Sequence, residues 1–246
     1  MDITSKRTTK LSVPHTYDKE VTLVGTLEQL APDEPTQGRR IALILHGSMG
    51  HKDYLFQKRL GLKLPIDSFR FDFTGSHESS GQWRLGKIEG DAFDIHVVAE
   101  YLNRRYGYMV DLLVGHSRGS VAAMIWLCNY PQAATRSVRG VTSEDHAEFA
   151  GVNTSVVWDR FPAGIDVLTM HGLMDAVVPP FDAVIYAQAY GARSPGTHNL
   201  YYVEDADHNF TGMADQVVAT IREWFDMLER KELRTGIWHT GVKPKL

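Results

Sequence analysis

A pentapeptide of the form Gly-X-Ser-X-Gly at residues 115–119 stands between a strand pattern and a helix pattern. Residues 110–114 (VDLLV) are almost entirely apolar, and residues 121–127 (VAAMIWL) are compatible with a buried helix. The two glycines permit a tight strand-to-helix turn that would lift Ser117 above the end of the strand. A purely structural glycine-rich turn is the alternative, but the flanking patterns favour a turn built to present the serine.

Short apolar runs alternate with longer amphipathic ones along the chain. Six strands are predicted, at residues 21–27, 41–45, 69–73, 110–114, 167–170 and 200–203. Helical spacing of apolar residues is found over 88–102 and 217–228. Strands that alternate with helices predict a mostly parallel central sheet with helices on both faces. In such sheets, ligands bind outside the carboxyl ends of the strands.

Composition limits the partners and the compartment. Hydrophobic residues make up 43% and charged residues 23% of 246 residues, which suits one globular domain over 1–246. The formal net charge is −4 with no long block of like charge, so we expect no nucleic-acid partner. With no signal-peptide pattern and no long apolar run, we expect a cytoplasmic protein without stable membrane insertion. The single cysteine, Cys128, is expected to be a buried structural thiol.

The base and the acid that a reactive serine needs are both available later in the chain. A serine hydroxyl becomes a good nucleophile only when a base takes its proton. Asp175 follows the strand pattern at 167–170, and His208 follows the pattern at 200–203. Both would meet Ser117 at one edge of the sheet, with His208 as the base and Asp175 as the carboxylate that orients it.

Other acids and histidines compete for these two roles. Asp205 and Asp207 lie beside His208, a position from which a carboxylate reaches Nδ1 only awkwardly. Asp159 would serve only if its region folded unusually. Among the eleven histidines, packing or turn-stabilising roles are expected for His46, His116 and His171.

The negative charge that develops during attack by serine needs donors already in place. One expected donor is the backbone N–H of Arg118, the residue after the serine. The second is expected from the loop that follows the strand at 41–45. There the backbone N–H of Ser48 is the first choice and that of Met49 the alternative.

Five segments together resemble α/β-hydrolases of the serine-aminopeptidase-like group, which includes feruloyl (cinnamoyl) esterases. In chain order they are HGSMG, FDFTGSHES, GHSRG, HGLMD and DADHNF. The resemblance covers about residues 20–230 and implies an α/β-hydrolase fold. It also implies cleavage of a carboxylic ester through an acyl-enzyme on Ser117, with no metal and no organic cofactor.

The chain departs from that group in two places. His77 stands where the group usually has a second glycine, so a different loop shape is expected. The segment before residue 167 is short, and no convincing buried strand precedes Val141. We therefore expect a reduced lid over about residues 131–164, within which Trp158 is the candidate substrate contact. Whether the sixth core strand is also missing is left open.

These observations lead to one main hypothesis and two alternatives. The main hypothesis is a serine hydrolase that cleaves a small or medium acyl ester as its small-molecule substrate. A thioesterase or an aminopeptidase-like enzyme would use the same three residues. The alternative of a different class is a catalytically inactive binding protein with a hydrolase-like fold. The oligomeric state is left open.

Overall fold

Strands and helices alternate in the computed structural model, which describes residues 6–131 and 153–240. The strands are β1 (Arg7–Pro14), β2 (Thr22–Gln29), β3 (Arg40–Leu45), β4 (Asp67–Phe71), β5 (Met109–Gly115), β6 (Val167–Gly172), β7 (His198–Val203) and β8 (Gly236–Thr240). The helices are α1 (Gln57–Lys63), α2 (Ile88–Tyr106), α3 (Arg118–Asn129), α4 (Val156–Arg160), α5 (Pro180–Gly191) and α6 (Ala214–Glu229). None of these helices is both long enough and apolar enough to cross a membrane.

The strands pair in two groups within the described residues. One has the order β1-β2-β4-β3-β5, and the other has the order β6-β7-β8. The pairs β1–β2 and β2–β4 are antiparallel, and the remaining pairs, β3–β4, β3–β5, β6–β7 and β7–β8, are parallel. The prediction of a mostly parallel α/β sheet is therefore confirmed.

Both faces of the sheet are covered, as the apolar strand patterns predicted. Alternate residues of β3 enter different hydrophobic clusters, since Leu43 packs with α2 and α3 while Ile44 packs with α1 and α6. Successive side chains of a strand point to opposite faces, so a strand buried on both sides is usually apolar at most of its positions. This tendency explains why β3 and β5 are the clearest apolar runs in the sequence.

Two strands were missed because they lack such a run. β1 lies at the edge of its sheet, and only Val13 among its side chains is fully buried. β8 is five residues long, and Ile237 within it is 67% exposed. An edge strand with one partner can be largely polar, so hydrophobic patterning does not reveal it.

The predicted lid over about 131–164 is described only in part. Its last third contains α4, and the rest, at 132–152, lies outside the described residues. The expectations of a reduced lid and of a possible missing strand near Val141 fall on that part, so they stay predictions.

A buried ion pair joins β2 to β4. Arg70 Nη1 donates to Glu28 Oε1 at 2.7 Å, and the two side chains are 3% and 1% exposed. Arg70 Nε also donates to Asp53 Oδ1 at 2.8 Å, and Thr8 Oγ1 donates to Glu28 Oε2 at 2.5 Å. Removing one member of such a pair leaves the other as an uncompensated charge away from water.

We expect Arg70→Met to lower the free energy of unfolding by about 3–5 kcal/mol, because the Glu28 carboxylate would stay buried without its cation. The double variant Arg70→Met/Glu28→Gln should recover part of that loss, since it also removes the charge. Urea unfolding followed by circular dichroism measures both. Equal stability of the single and double variants would contradict this account.

Candidate active site

Ser117 occupies the sharp turn between β5 and α3. Its backbone has φ 49° and ψ −124°, a conformation that non-glycine residues rarely adopt. Close packing holds the turn: a Cβ added at Gly115 would lie 2.5 Å from the backbone nitrogen of Ser120. A Cβ added at Gly119 would lie 2.5 Å from the carbonyl oxygen of His46. Only glycine fits at these two positions, which is the physical reason for the pentapeptide pattern.

His208, in the loop after β7, lies between Ser117 and Asp175. Its Nε2 is 3.1 Å from Ser117 Oγ, and its Nδ1 is 3.1 Å from Asp175 Oδ2. A carboxylate only accepts hydrogen bonds, so Nδ1 carries the ring hydrogen and Nε2 accepts from the serine hydroxyl. The three residues that the sequence proposed are thus brought together in the order hydroxyl, imidazole, carboxylate.

Asp175 is held by the turn that follows β6. Its Oδ1 accepts hydrogen bonds from the backbone N–H groups of Val177 and Val178, each at 2.9 Å. These two donors leave Oδ2 directed at His208. The strand end also packs closely on the His208 loop, because a Cβ added at Gly172 would lie 2.2 Å from the carbonyl oxygen of Ala206.

The rival acids take other positions. Asp207 Oδ1 accepts from the backbone N–H groups of Asn209 and Thr211 at 3.1 and 2.9 Å. These bonds, that of Thr211 foremost, lower the pKa of Asp207 and use the carboxylate to close its own loop. Asp205 and Asp159 are exposed on the surface. The carboxylate at His208 Nδ1 is that of Asp175.

Two buried histidines hold the loops around the serine. His116 Nε2 donates to the carbonyl oxygen of His208 at 3.1 Å, and burial lowers the pKa of His116 to about 4. His46 Nε2 accepts from the Phe73 N–H at 3.1 Å while its Nδ1 donates to the Gly47 carbonyl at 2.8 Å. Burial lowers the pKa of His46 to about 4 as well. Both rings are neutral at neutral pH, and their hydrogen bonds to backbone groups stabilise the neighbouring loops.

The loop after β3 offers backbone N–H groups near the start of α3. Ser48 is half-buried, and Met49 is 92% exposed with φ 55°. Within the described residues, neither backbone N–H donates to a protein acceptor. Ser48 and Met49 therefore remain the two candidates for the second oxyanion donor.

The Arg118 side chain is directed to α2 and the loop before it. Its guanidinium donates to Asp91 and to the backbone carbonyl of Leu85, and it lies 5.6 Å from the ring centroid of Trp83. Burial raises the pKa of Asp91 to about 6, an effect that the neighbouring guanidinium opposes. Any contribution of Arg118 at Ser117 would therefore come from its backbone N–H, at the positive end of α3.

A cluster of charged side chains lies just beyond the loop that follows β3. Lys52 Nζ donates to Asp72 Oδ2 at 2.7 Å and also contacts Glu78, and the Lys52 side chain is 3% exposed. His77 adopts φ 45°, as a glycine would, and its ring stacks on His51 at 4.6 Å. Asp72, His77 and Glu78 offer possible metal ligands within 4.8 Å of one another. The Lys52 ammonium already bridges both carboxylates, which disfavours a metal there.

Trp158 lies on α4, where it is 49% exposed. Its ring centroid is 5.7 Å from that of Tyr186 on α5. Its proposed contact with substrate stays a prediction.

The order of the strands, the turn at Ser117 and the loop that carries His208 define the α/β-hydrolase fold, as the motifs implied. Est1E from Butyrivibrio proteoclasticus, solved with ferulic acid bound, matches with a TM-score of 0.71 at 16% identity, covering 91% of this chain and 100% of that one. A protein of unknown function from Agrobacterium tumefaciens, provisionally described as an α/β hydrolase, matches with a TM-score of 0.72 at 18% identity, covering 92% and 98%.

Comparison by sequence identifies fewer similar proteins than comparison by structure. No family model matches the chain. An uncharacterized protein of Saccharomyces cerevisiae is 24% identical, over 71% of this chain and 70% of the yeast protein.

The buried His116 should make stability depend on pH. The unfolded chain takes up a proton on this ring near the ordinary pKa of 6.5, whereas the folded protein does so only near pH 4. The wild type therefore loses stability as the pH falls from 6.5 to 4. His116→Gln keeps a donor for the His208 carbonyl but has no ring to protonate, so its free energy of unfolding should not contain this pH-dependent loss.

Urea unfolding of both proteins across this range measures the difference between their free energies of unfolding. Relative to the variant, the wild type should lose up to about 3 kcal/mol. A difference that stays constant from pH 7 to pH 4 would mean that His116 is not held neutral.

Proposed function

We propose that this protein is a serine hydrolase that cleaves a carboxylic ester with a small or medium acyl group. The observation that carries the proposal is the hydrogen-bonded series Ser117–His208–Asp175, with both distances at 3.1 Å, at a strained strand-to-helix turn. A hydroxyl, imidazole and carboxylate in this order are what a serine needs to act as a nucleophile. The ferulic acid bound to Est1E supports a carboxylic acid derivative as the substrate class.

In the first half-reaction, Ser117 Oγ attacks the ester carbonyl carbon while His208 Nε2 takes the hydroxyl proton. Asp175 stabilises the imidazolium that forms and keeps its Nδ1–H directed at the carboxylate. When the tetrahedral intermediate collapses, His208 returns the proton to the leaving alkoxide. The products of this step are an alcohol and an acyl-enzyme on Ser117.

In the second half-reaction, His208 Nε2 takes a proton from water, and the hydroxide attacks the acyl carbonyl. Collapse of the second intermediate releases the carboxylic acid and returns the proton to Ser117. In both steps the negative oxygen would be stabilised by the backbone N–H of Arg118 and that of Ser48, or of Met49 in its place. None of these steps requires a metal or an organic cofactor.

The proposal predicts that Ser117→Ala abolishes both labelling by a fluorophosphonate probe and turnover of a short-chain chromogenic ester. Turnover should fall by at least about 10⁴-fold, because the variant lacks the hydroxyl that lies 3.1 Å from His208 Nε2 and that the mechanism uses as the nucleophile. Ser12→Ala, at an exposed serine of the edge strand, is the matched control and should label like the wild type. A folded wild type that is neither labelled nor active on esters or thioesters would exclude this function.

Asp175→Asn should reduce kcat by about 10³–10⁴-fold, because the backbone N–H groups of Val177 and Val178 would hold the amide oxygen and leave the NH2 donor facing His208 Nδ1. Asp207→Asn is the matched control, since that carboxylate closes a loop and does not contact the His208 ring. Steady-state kinetics on the same ester measures both variants. A larger loss from Asp207→Asn would assign the acid role to Asp207.

Trp158→Ala should raise KM for an ester with an aromatic acyl group about 3–10-fold and leave kcat nearly unchanged, if this half-exposed ring contacts the acyl group. An acetyl ester, which has no aromatic acyl group to contact the ring, should show no change. Ile237→Ala, at an exposed apolar residue of β8, is the control. An unchanged KM for both esters would remove Trp158 from the substrate site.

A further inference from the structure

His171 is a buried histidine at the end of β6 that the mechanism above does not use. Its side chain is 1% exposed, and it precedes Asp175 by four residues. Its Nε2 lies 3.2 Å from the carbonyl oxygen of Val178 and 3.5 Å from Asp175 Oδ2. The second of these atoms is the carboxylate oxygen that faces His208.

The hydrogen on His171 can be assigned from its neighbours. Both atoms near Nε2, a carbonyl oxygen and a carboxylate oxygen, only accept hydrogen bonds, so Nε2 carries the hydrogen. Burial lowers the pKa of His171, so the ring is neutral at neutral pH. The ring therefore presents an uncharged donor to the Val178 carbonyl and, more weakly, to the carboxylate of Asp175.

This donor closes a small network around Asp175. The Val178 N–H donates to Asp175 Oδ1, and the Val178 carbonyl accepts from His171. Val178 therefore links the two side chains: its carbonyl accepts from His171, and its N–H donates to the Asp175 carboxylate. The bond fixes the turn at 175–178, and the longer contact adds a partial positive charge beside Oδ2.

We propose that His171 is a positioning residue for Asp175, which sets the carboxylate plane so that Oδ2 accepts from His208 Nδ1. The proposal rests on the proposed function, in which Asp175 orients the base. It also gives a specific purpose to the histidine in the HGLMD segment, which sequence patterning marks only as structural.

Two substitutions separate the donor from the bulk of the ring. His171→Leu fills similar space without a donor, and His171→Gln keeps an N–H close to the position of Nε2. We expect His171→Leu to lower kcat about 10–100-fold with KM within about twofold, the size of effect known for the loss of a hydrogen bond that orients a metal-binding side chain. His171→Gln should recover most of kcat. Equal losses in both variants would contradict a role for the donor.

A double-mutant cycle tests whether His171 acts through Asp175. In the Asp175→Asn background, His171→Leu should change kcat by less than about twofold, because the carboxylate that it positions is gone. If His171→Leu lowers kcat by the same factor in both backgrounds, its effect is general destabilisation and the proposal fails. Should the leucine variant not fold, His171→Asn, whose shorter amide displaces the donor, takes its place in the cycle.

A measurement without substrate separates this proposal from the proposed function. The Nδ1–H of His208, bonded to Asp175, should give a downfield proton resonance, assigned by its loss in His208→Gln. We expect it to vanish or shift strongly in His171→Leu and to persist in His171→Gln. That result with an inactive wild type would support the positioning role and reject the hydrolase. An unchanged resonance in His171→Leu, with ester turnover intact in the wild type, would overturn only the positioning role.

Discussion

The site depends on the close approach of the helix after Ser117 to the strand that precedes the 46–50 loop. Gly119 lies against the carbonyl of His46 so tightly that no side chain fits, and this contact sets the sharp turn. Because α3 begins at this point, its positive end and the loop after β3 meet beside one hydroxyl. A larger residue at position 119 would separate these elements and remove the geometry on which the proposed chemistry rests.

Neutral buried histidines hold the loops around the serine, together with the ion pairs of Lys52 and of Arg118. His46, His116 and His171 are all buried, and burial lowers the pKa of each. A neutral imidazole can donate from one nitrogen and accept at the other without the desolvation cost of an ion. These neutral rings stabilise the loops through hydrogen bonds. They add no positive charge that would compete with His208 for the carboxylate of Asp175.

The sequence predicted most of the fold because the central strands are buried on both faces. β3 and β5 are almost entirely apolar, so their patterns were unambiguous, whereas β1 and β8 bury little and were missed. For the site, spacing after the strands indicated Asp175 and His208 but left Asp207 as a rival. Backbone donors at Asn209 and Thr211 engage Asp207, and no local pattern reveals that.

By itself, the sequence determined that a serine stands at a strand-to-helix turn with glycines on both sides. It also determined that an acid and a histidine follow later strands, because strand order and turn chemistry are local properties. Only the tertiary structure decided which carboxylate reaches His208 and that Lys52 bridges the carboxylates of Asp72 and Glu78. The tertiary structure also revealed that His171 contacts Asp175. These contacts depend on how turns and loops fold and pack against one another, and composition and periodicity carry no record of that packing.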